Sequence, residues 1–253
     1  MRKFIFQLYS DMHLEFYTNY PFIKPLAPTL FLAGDIGHYN KTQFKNFFDY
    51  CSPRWKTIVY VLGNHEFYID GNTIDDKYNK YKKFFNNYNN IYLLNNSFVR
   101  IEDINIYGST LWTHPTLDLI SAKKYFNNFN KNEYMDIQKT SNLQYNSLKN
   151  YIENNKKKTI IISHFPPLQK NTSAIKYLNQ EKIIKDYFAW EHLIDEIPKK
   201  NIIGWLSGHT HHSYDFNYKN IRLLSNQIGY KKELNKNTFN IDGLYEIIIK
   251  NNK

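Results

Sequence analysis

Apolar residues recur along the chain in short blocks of β-branched and aromatic side chains, each closed by a polar or glycine-containing segment. The pattern predicts strands over residues 4–9, 30–33, 57–62, 91–94, 104–107, 159–162 and 202–206. Four more are expected over 214–216, 221–224, 239–241 and 245–249, with Asp242-Gly243 as a hairpin turn before the last. Apolar positions three and four apart mark helices most plainly over 141–153 and 187–197. Strand and helix alternate early and strands cluster late, which predicts an α/β fold with mixed layers around one core. No Gly/Ser-rich or Pro-rich linker and no internal repeat interrupts the chain, so 1–253 is expected to be a single domain.

The segments that follow the apolar blocks carry the chemistry. Residues 4–9 lead into Asp11-Met12-His13, 30–33 into Gly34-Asp35, and 57–62 into Gly63-Asn64-His65-Glu66. Residues 159–162 lead into Ser163-His164, and 202–206 into Gly208-His209-Thr210-His211. Five strands would thus deliver carboxylate, amide or imidazole groups from their carboxyl ends, the edge where α/β sheets build sites. Oxygen and nitrogen donors without cysteine suit Mn, Fe, Zn or Mg rather than a sulfur-rich structural zinc site. Residues two apart in extended chain share a side, so Asp11 with His13 and His209 with His211 are expected to converge. Glycine before Asp35, Asn64 and His209 allows close backbone approach.

In this order the blocks resemble the calcineurin-like metallophosphoesterases, whose pattern is D-x-H, GD, GNH-D/E, H and GHxH. Flanking segments resemble a bacterial-type branch: Ser10-Asp11-Met12-His13-Leu14-Glu15-Phe16, Gly63-Asn64-His65-Glu66-Phe67-Tyr68, Gly108-Ser109-Thr110-Leu111-Trp112, and Trp205 to His211. Asn226-Gln227-Ile228-Gly229-Tyr230 is similar to that branch's closing N-P-x-G-Y. The resemblance implies a four-layer αββα sandwich of two mixed sheets with a dimetal site at the strand carboxyl ends. It implies two divalent cations, manganese first among Mn, Fe, Zn and Mg. Asp11, His13, Asp35 and His211 would hold one ion and Asp35, Asn64, His164 and His209 the other, with Asp35 bridging. Two ions sharing a carboxylate and a hydroxide would drive in-line attack at phosphorus. His65 would be the general acid. Relatives often carry an acidic or amide residue three positions after the GD aspartate to orient that histidine. His38 stands there, and two adjacent imidazoles would lower each other's proton affinity. His38, Trp112, His114 and Tyr230 are candidate substrate contacts, with Tyr68 in the same aromatic wall. Glu15, Glu66 and Asp215 are expected in supporting or surface roles.

Net charge is +10, yet arginine occurs only at Arg2, Arg54, Arg100 and Arg222, and the lysines are scattered. That favours a solvated basic surface over a dedicated polynucleotide track, because arginine is the better phosphate fork. Cys51 stands alone, which excludes an internal disulfide, and no apolar run reaches the roughly 18–20 residues of a membrane helix. The start lacks the length and cleavage site of a signal peptide, so a soluble cytoplasmic protein is expected. The expected activity is a dimetal phosphoesterase acting on a phosphodiester or nucleotide-like small molecule. A Ser/Thr-phosphatase-like monoesterase, a nuclease, and an inactive scaffold of the same fold are the alternatives. The phosphatase pattern includes arginines that are missing here.

Overall fold

Strands whose two faces are both apolar must be covered on both sides, and that requirement sets the layers. The computed structural model describes residues 1–18, 23–69, 73–113, 131–174, 182–233 and 238–249, with backbone only at 131–134 and 182–184. One sheet comprises β1 (Arg2–Tyr9), β2 (Thr29–Ala33), β3 (Thr57–Val61), β4 (Ile91–Leu94) and β11 (Leu244–Ile249), in the order β11-β1-β2-β3-β4. The other comprises β5 (Ser97–Ile101), β6 (Ile104–Ser109), β7 (Thr159–Ser163), β8 (Ile202–Leu206), β9 (Tyr214–Tyr218) and β10 (Ile221–Ser225), in the order β5-β6-β7-β8-β10-β9. Each sheet is parallel at its centre and takes antiparallel strands at its margins: β11 on β1, β5 on β6 and β9 on β10.

Side-chain alternation sorts these strands into three cores. Phe4, Phe6 and Leu8 of β1, Phe31 and Ala33 of β2, and Ile160 and Ile162 of β7 meet between the sheets. On the far side of the first sheet, Leu30, Leu32, Ile58 and Tyr60 pack against Phe44, Phe47 and Phe48 of α1 (Thr42–Cys51) and Phe85 of α2 (Ile74–Phe85). On the far side of the second, Tyr107, Ile161 and Trp205 pack against Leu148 and Ile152 of α3 (Lys131–Asn154) and Leu193 and Ile194 of α5 (Leu193–Glu196). The layers run helix, sheet, sheet, helix, a four-layer α/β sandwich.

Several elements differ from the sequence reading. The segment 187–197 is not one helix: α4 (Lys182–Phe188) stops, and α5 restarts after a break. Trp190 explains the break, because its backbone N–H donates to the Pro166 carbonyl and its indole N–H to that of Leu111. Residues 239–241 form no strand. Asn226 donates to the carbonyl of Asn240 and Tyr9 to that of Ile241, so these groups are withdrawn from a ladder, and β11 pairs with β1 instead. The chain does turn at Asn240–Gly243, with the Gly243 N–H donating to the Asn240 carbonyl, but with no strand before it the expected hairpin does not form. Helices α1 and α2 and the edge strand β5 are additional to the expected set.

Phe48 lies within 4.7 Å of both Phe44 and Phe85, ring centre to ring centre, and is fully buried. Phe48→Ala is expected to lower unfolding free energy by about 3–5 kcal/mol in urea melts, the cost of a large buried ring.

Candidate metal centre

The carboxyl ends of β1, β2, β3, β7 and β8 turn into loops that are stitched together by their own backbone. The Asp11 N–H donates to the Gly34 carbonyl, His13 to Asp35, and Gly208 to His164, at 2.9–3.0 Å. Gly34 has φ +88°, and a Cβ there would collide with the His164 ring; a Cβ at Gly63 would collide with the Asp35 carboxylate. Glycine is required at both places for the loops to close on one another.

Asp11, His13, Asp35, Asn64, His164, His209 and His211 are brought to one place. The route is not the expected one. Asp11 and His13 lie beyond the end of β1, and five of the seven residues sit in the left-handed region: Asp11, His13, Asp35, His209 and His211, with φ between 48° and 77°. Convergence therefore comes from strained left-handed backbone at three of the five loops, those after β1, β2 and β8, and not from the two-residue alternation of a strand; Asn64 and His164 join them from backbone of ordinary hand.

The hydrogen bonds fix which atom of each ring faces inward. His13 Nδ1 donates to Glu15 Oε1 (3.2 Å) and His211 Nδ1 to Glu233 Oε2 (2.6 Å). His164 Nδ1 donates to the Ala33 carbonyl (2.9 Å) and His209 Nε2 to that of Tyr187 (3.3 Å). Asn64 Nδ2 donates to the Tyr68 hydroxyl (2.9 Å), which is itself hydrogen-bonded to Tyr187. Each partner takes a proton, so the opposite atom presents a lone pair. Those lone pairs meet. His13 Nε2 and His211 Nε2 are 3.0 Å apart, and Asn64 Oδ1 lies 2.9 Å from both His164 Nε2 and His209 Nδ1. Asp35 Oδ2 is 3.4 Å from His164 Nε2 and 3.9 Å from His13 Nε2, and Asp11 Oδ1 is 3.5 Å from His211 Nε2. Acceptors facing acceptors at these distances require a proton or a metal cation between them. The groups Asp11–His13–His211 and Asp35–His164–His209 each have the spacing to hold a metal ion, as does a third, His13–Glu15–His65. In the protein alone a proton on His164 fills part of the need: burial opposes it, but Asp35 pushes that imidazole up to about 9. Burial likewise opposes ionisation of Asp35, yet His164 and His65 hold its carboxyl well below the usual range.

His65 stands beside this cluster. Its Nδ1 is 3.2 Å from Glu15 Oε1, and its Nε2 is 3.1 Å from the Tyr230 hydroxyl. His38 does not stack beside it; its Nε2 donates to the His65 carbonyl at 3.0 Å. The expected mutual lowering holds for one ring and not the other. Burial, and after it the neighbouring His65, lowers His38 despite Glu15, whereas burial would lower His65 but Asp35 and Glu15 outweigh it and raise that imidazole. Trp112 is 1% exposed and packs on Phe67 and Phe165, whereas Tyr230 stacks on His13 at 4.4 Å. His114 lies outside the described residues. Asp215 forms a bidentate pair with Arg222.

Two of the carboxylates expected in supporting or surface roles support the cluster, and a third, Glu233, joins them unanticipated. The Glu15 side chain is only 3% exposed and accepts from both His13 and His65. Glu66 is fully buried and accepts from the backbone N–H groups of Asp35, Ile36, Gly37 and Gly63 and from the Tyr60 hydroxyl. Burial and then Asp35 push its carboxyl up to about 7, yet all five partners are donors, so the loops are built around the carboxylate form. Glu233 accepts from His211 and from the Tyr230 N–H. A fixed offset from the family motifs pointed to Glu15 and Glu66; no pattern pointed to Glu233.

Glu66→Gln would turn an amide N–H₂ toward N–H donors and is expected to cost roughly 3 kcal/mol in denaturant melts and to reduce metal retention on dialysis. Because a raised His164 must lose its proton to become a ligand, metal uptake near neutral pH should release protons. Manganese affinity should climb by about tenfold per pH unit for each proton displaced, levelling as pH passes the His164 value. Calorimetry in buffers of different ionisation enthalpy reads the release directly.

A relative from Acanthamoeba polyphaga mimivirus, the uncharacterized protein L509, is 31% identical over 93% of this chain and 94% of its own length. Among solved structures, phosphopantetheinyl hydrolase from Mycobacterium tuberculosis superposes with a TM-score of 0.72 over 97% of this chain and 96% of that one, at 14% identity, a likeness of fold. The family model described as calcineurin-like phosphoesterase matches residues 7–213, the stretch that contains every loop of the cluster. The chain therefore belongs to the calcineurin-like phosphoesterase family and is a metal-dependent phosphoester hydrolase.

Proposed function

We propose that the protein hydrolyses a phosphodiester or nucleotide-like small molecule at a centre of two divalent cations. Asp11, His13, Asp35 and His211 form one donor set and Asp35, Asn64, His164 and His209 the other. The observation that carries this reading is the facing of lone pairs across both sets. When bound, two such ions supply Lewis acidity to a phosphoryl oxygen and make water a nucleophile near neutral pH. A nitrogen–oxygen set admits Mn, Fe, Zn or Mg, with manganese the first to test. Two aspartates against two divalent charges leave the centre positive, and the neutral Asn64 amide preserves that surplus.

His65 is the proton donor to the leaving oxygen. Glu15 grips Nδ1, so the ring cannot turn, and the Nε2 proton is left to the Tyr230 hydroxyl or to the substrate. Glu15 therefore takes the orienting role that His38 does not fill. Phosphate binding falls to the metal centre, because the arginines are engaged elsewhere: Arg2 with Glu102, Arg54 with Tyr50, Arg100 with the Glu102 carbonyl, and Arg222 with Asp215. That disposition favours a small diester over a phosphoprotein. The name of the mycobacterial neighbour, a phosphopantetheinyl hydrolase, supports an organic phosphoester as substrate class. Placement in a bacterial-type branch rests on the segments flanking the family motifs.

The test is a manganese assay of mono- and bis-aryl phosphates, cyclic nucleotides, dinucleotide polyphosphates and nucleic acids side by side. Faster turnover of diesters is expected; a clear monoester or nucleic-acid preference would replace the reading. His65→Ala should keep its metals and lose about 10²–10⁴ in rate with alkyl leaving groups, and much less with p-nitrophenol. Equal losses for both would remove His65 from the acid role.

A further inference from the structure

Phe16 closes the 3-10 turn Leu14–Phe16 that follows the DxH loop, and its side chain is 65% exposed. A single exposed phenylalanine is ordinary on a protein surface. This one is set apart by its neighbours. Its ring centre lies 6.0 Å from His13, 6.2 Å from His65 and 5.8 Å from Tyr230, edge-on to the last two. Among the described residues its ring contacts are thus with residues of the centre, while a large part of the ring is open to solvent. Leu14, two residues earlier, is fully buried and anchors the turn, so the ring is displayed from a fixed support.

We infer that Phe16 is a specificity-determining residue: an aromatic platform for a planar, uncharged ring in the leaving group of the substrate. The inference rests on the reading of His65 as donor to the leaving oxygen, because that donor marks the side on which the leaving group lies. Phe16 adjoins His65 and is itself exposed, so a group departing toward His65 comes within reach of the ring. No arginine among the described residues lies beside Phe16 to recruit a second phosphate; the four are tied to acidic or carbonyl partners elsewhere. Lys232 lies over the adjoining Tyr230 ring at 5.9 Å, and beside it the surface offers the aromatic face of Phe16. Stacking on such a face tolerates many heterocycles and depends on planarity, not on hydrogen-bond pattern. A nucleoside or aryl alcohol fits; a branched alkyl alcohol of equal acidity does not.

Two methyl phosphodiesters separate shape from leaving-group acidity: methyl phenyl phosphate and methyl hexafluoroisopropyl phosphate. The manganese-loaded protein should favour the phenyl ester by about tenfold in kcat/KM, mostly through KM. Phe16→Ala and Phe16→Leu should each erase that preference by slowing the phenyl ester alone, and Phe16→Trp should keep it. Equal slowing of both esters, or an unchanged preference in Phe16→Ala, would overturn the platform. Calorimetric affinity for phenylphosphonate against methylphosphonate reads the same ring without turnover. A preference present in the native protein and lost in Phe16→Ala supports the platform even if no diester is cleaved, in which case only the diesterase reading falls. Absence of that preference in the native protein defeats the inference.

Discussion

Four imidazoles, one amide and two carboxylates turn their acceptor atoms into one small volume, where a proton or a metal ion must offset their repulsion, and the rest of the site is arranged around that constraint. Left alone, such a cluster would flip its amide or rotate its rings until donors met acceptors. It is prevented from doing so by what lies behind each group. Glu15, Glu233 and the carbonyls of Ala33 and Tyr187 take the rear proton of each histidine, and Tyr68 takes that of Asn64. The outer partners decide the tautomer, and the tautomer decides that a cation is needed.

Backbone strain is the second half of the arrangement. Asp11, His13, Asp35, His209 and His211 are held at positive φ, where residues with a Cβ are uncommon. Conformations of this kind cost on the order of 1–3 kcal/mol each and persist only where their surroundings over-determine them. Here the surroundings are the buried Glu66 carboxylate, which gathers four backbone N–H groups from two loops, and the backbone bonds between neighbouring loops. Two sheets buried on both faces provide the rigid base.

Glu15 links the two functions of the site. One oxygen accepts from a candidate ligand, His13, and from the candidate acid, His65, so the same carboxylate sets the direction of both rings. Its other oxygen is buried without a hydrogen-bond donor among the described residues, which concentrates its acceptor strength on those two histidines. Burial opposes that charge, yet the two histidines hold the Glu15 carboxyl down at about 2.

Strand positions and the D-x-H, GD, GNHE and GHTH blocks were readable because period-two alternation and local turn residues are written within a few neighbouring positions. Helix α1 carried a signal too, with Phe44, Phe47, Phe48 and Cys51 at helical spacing, but its aromatic-rich composition serves a strand as readily. The edge strand β5 is half exposed and lacks such a pattern. Residues 239–241 read as a strand by composition, and only long-range hydrogen bonds from Tyr9 and Asn226 remove them from a ladder. By itself the sequence determined the kind of donors, their order, and the edge of the sheets at which they emerge. Tertiary structure alone decided that Glu15 replaces His38 behind His65, that Glu233 stands behind His211, and that left-handed backbone aims five of the seven groups at the common centre. Those choices depend on contacts between distant segments, which local spacing does not encode.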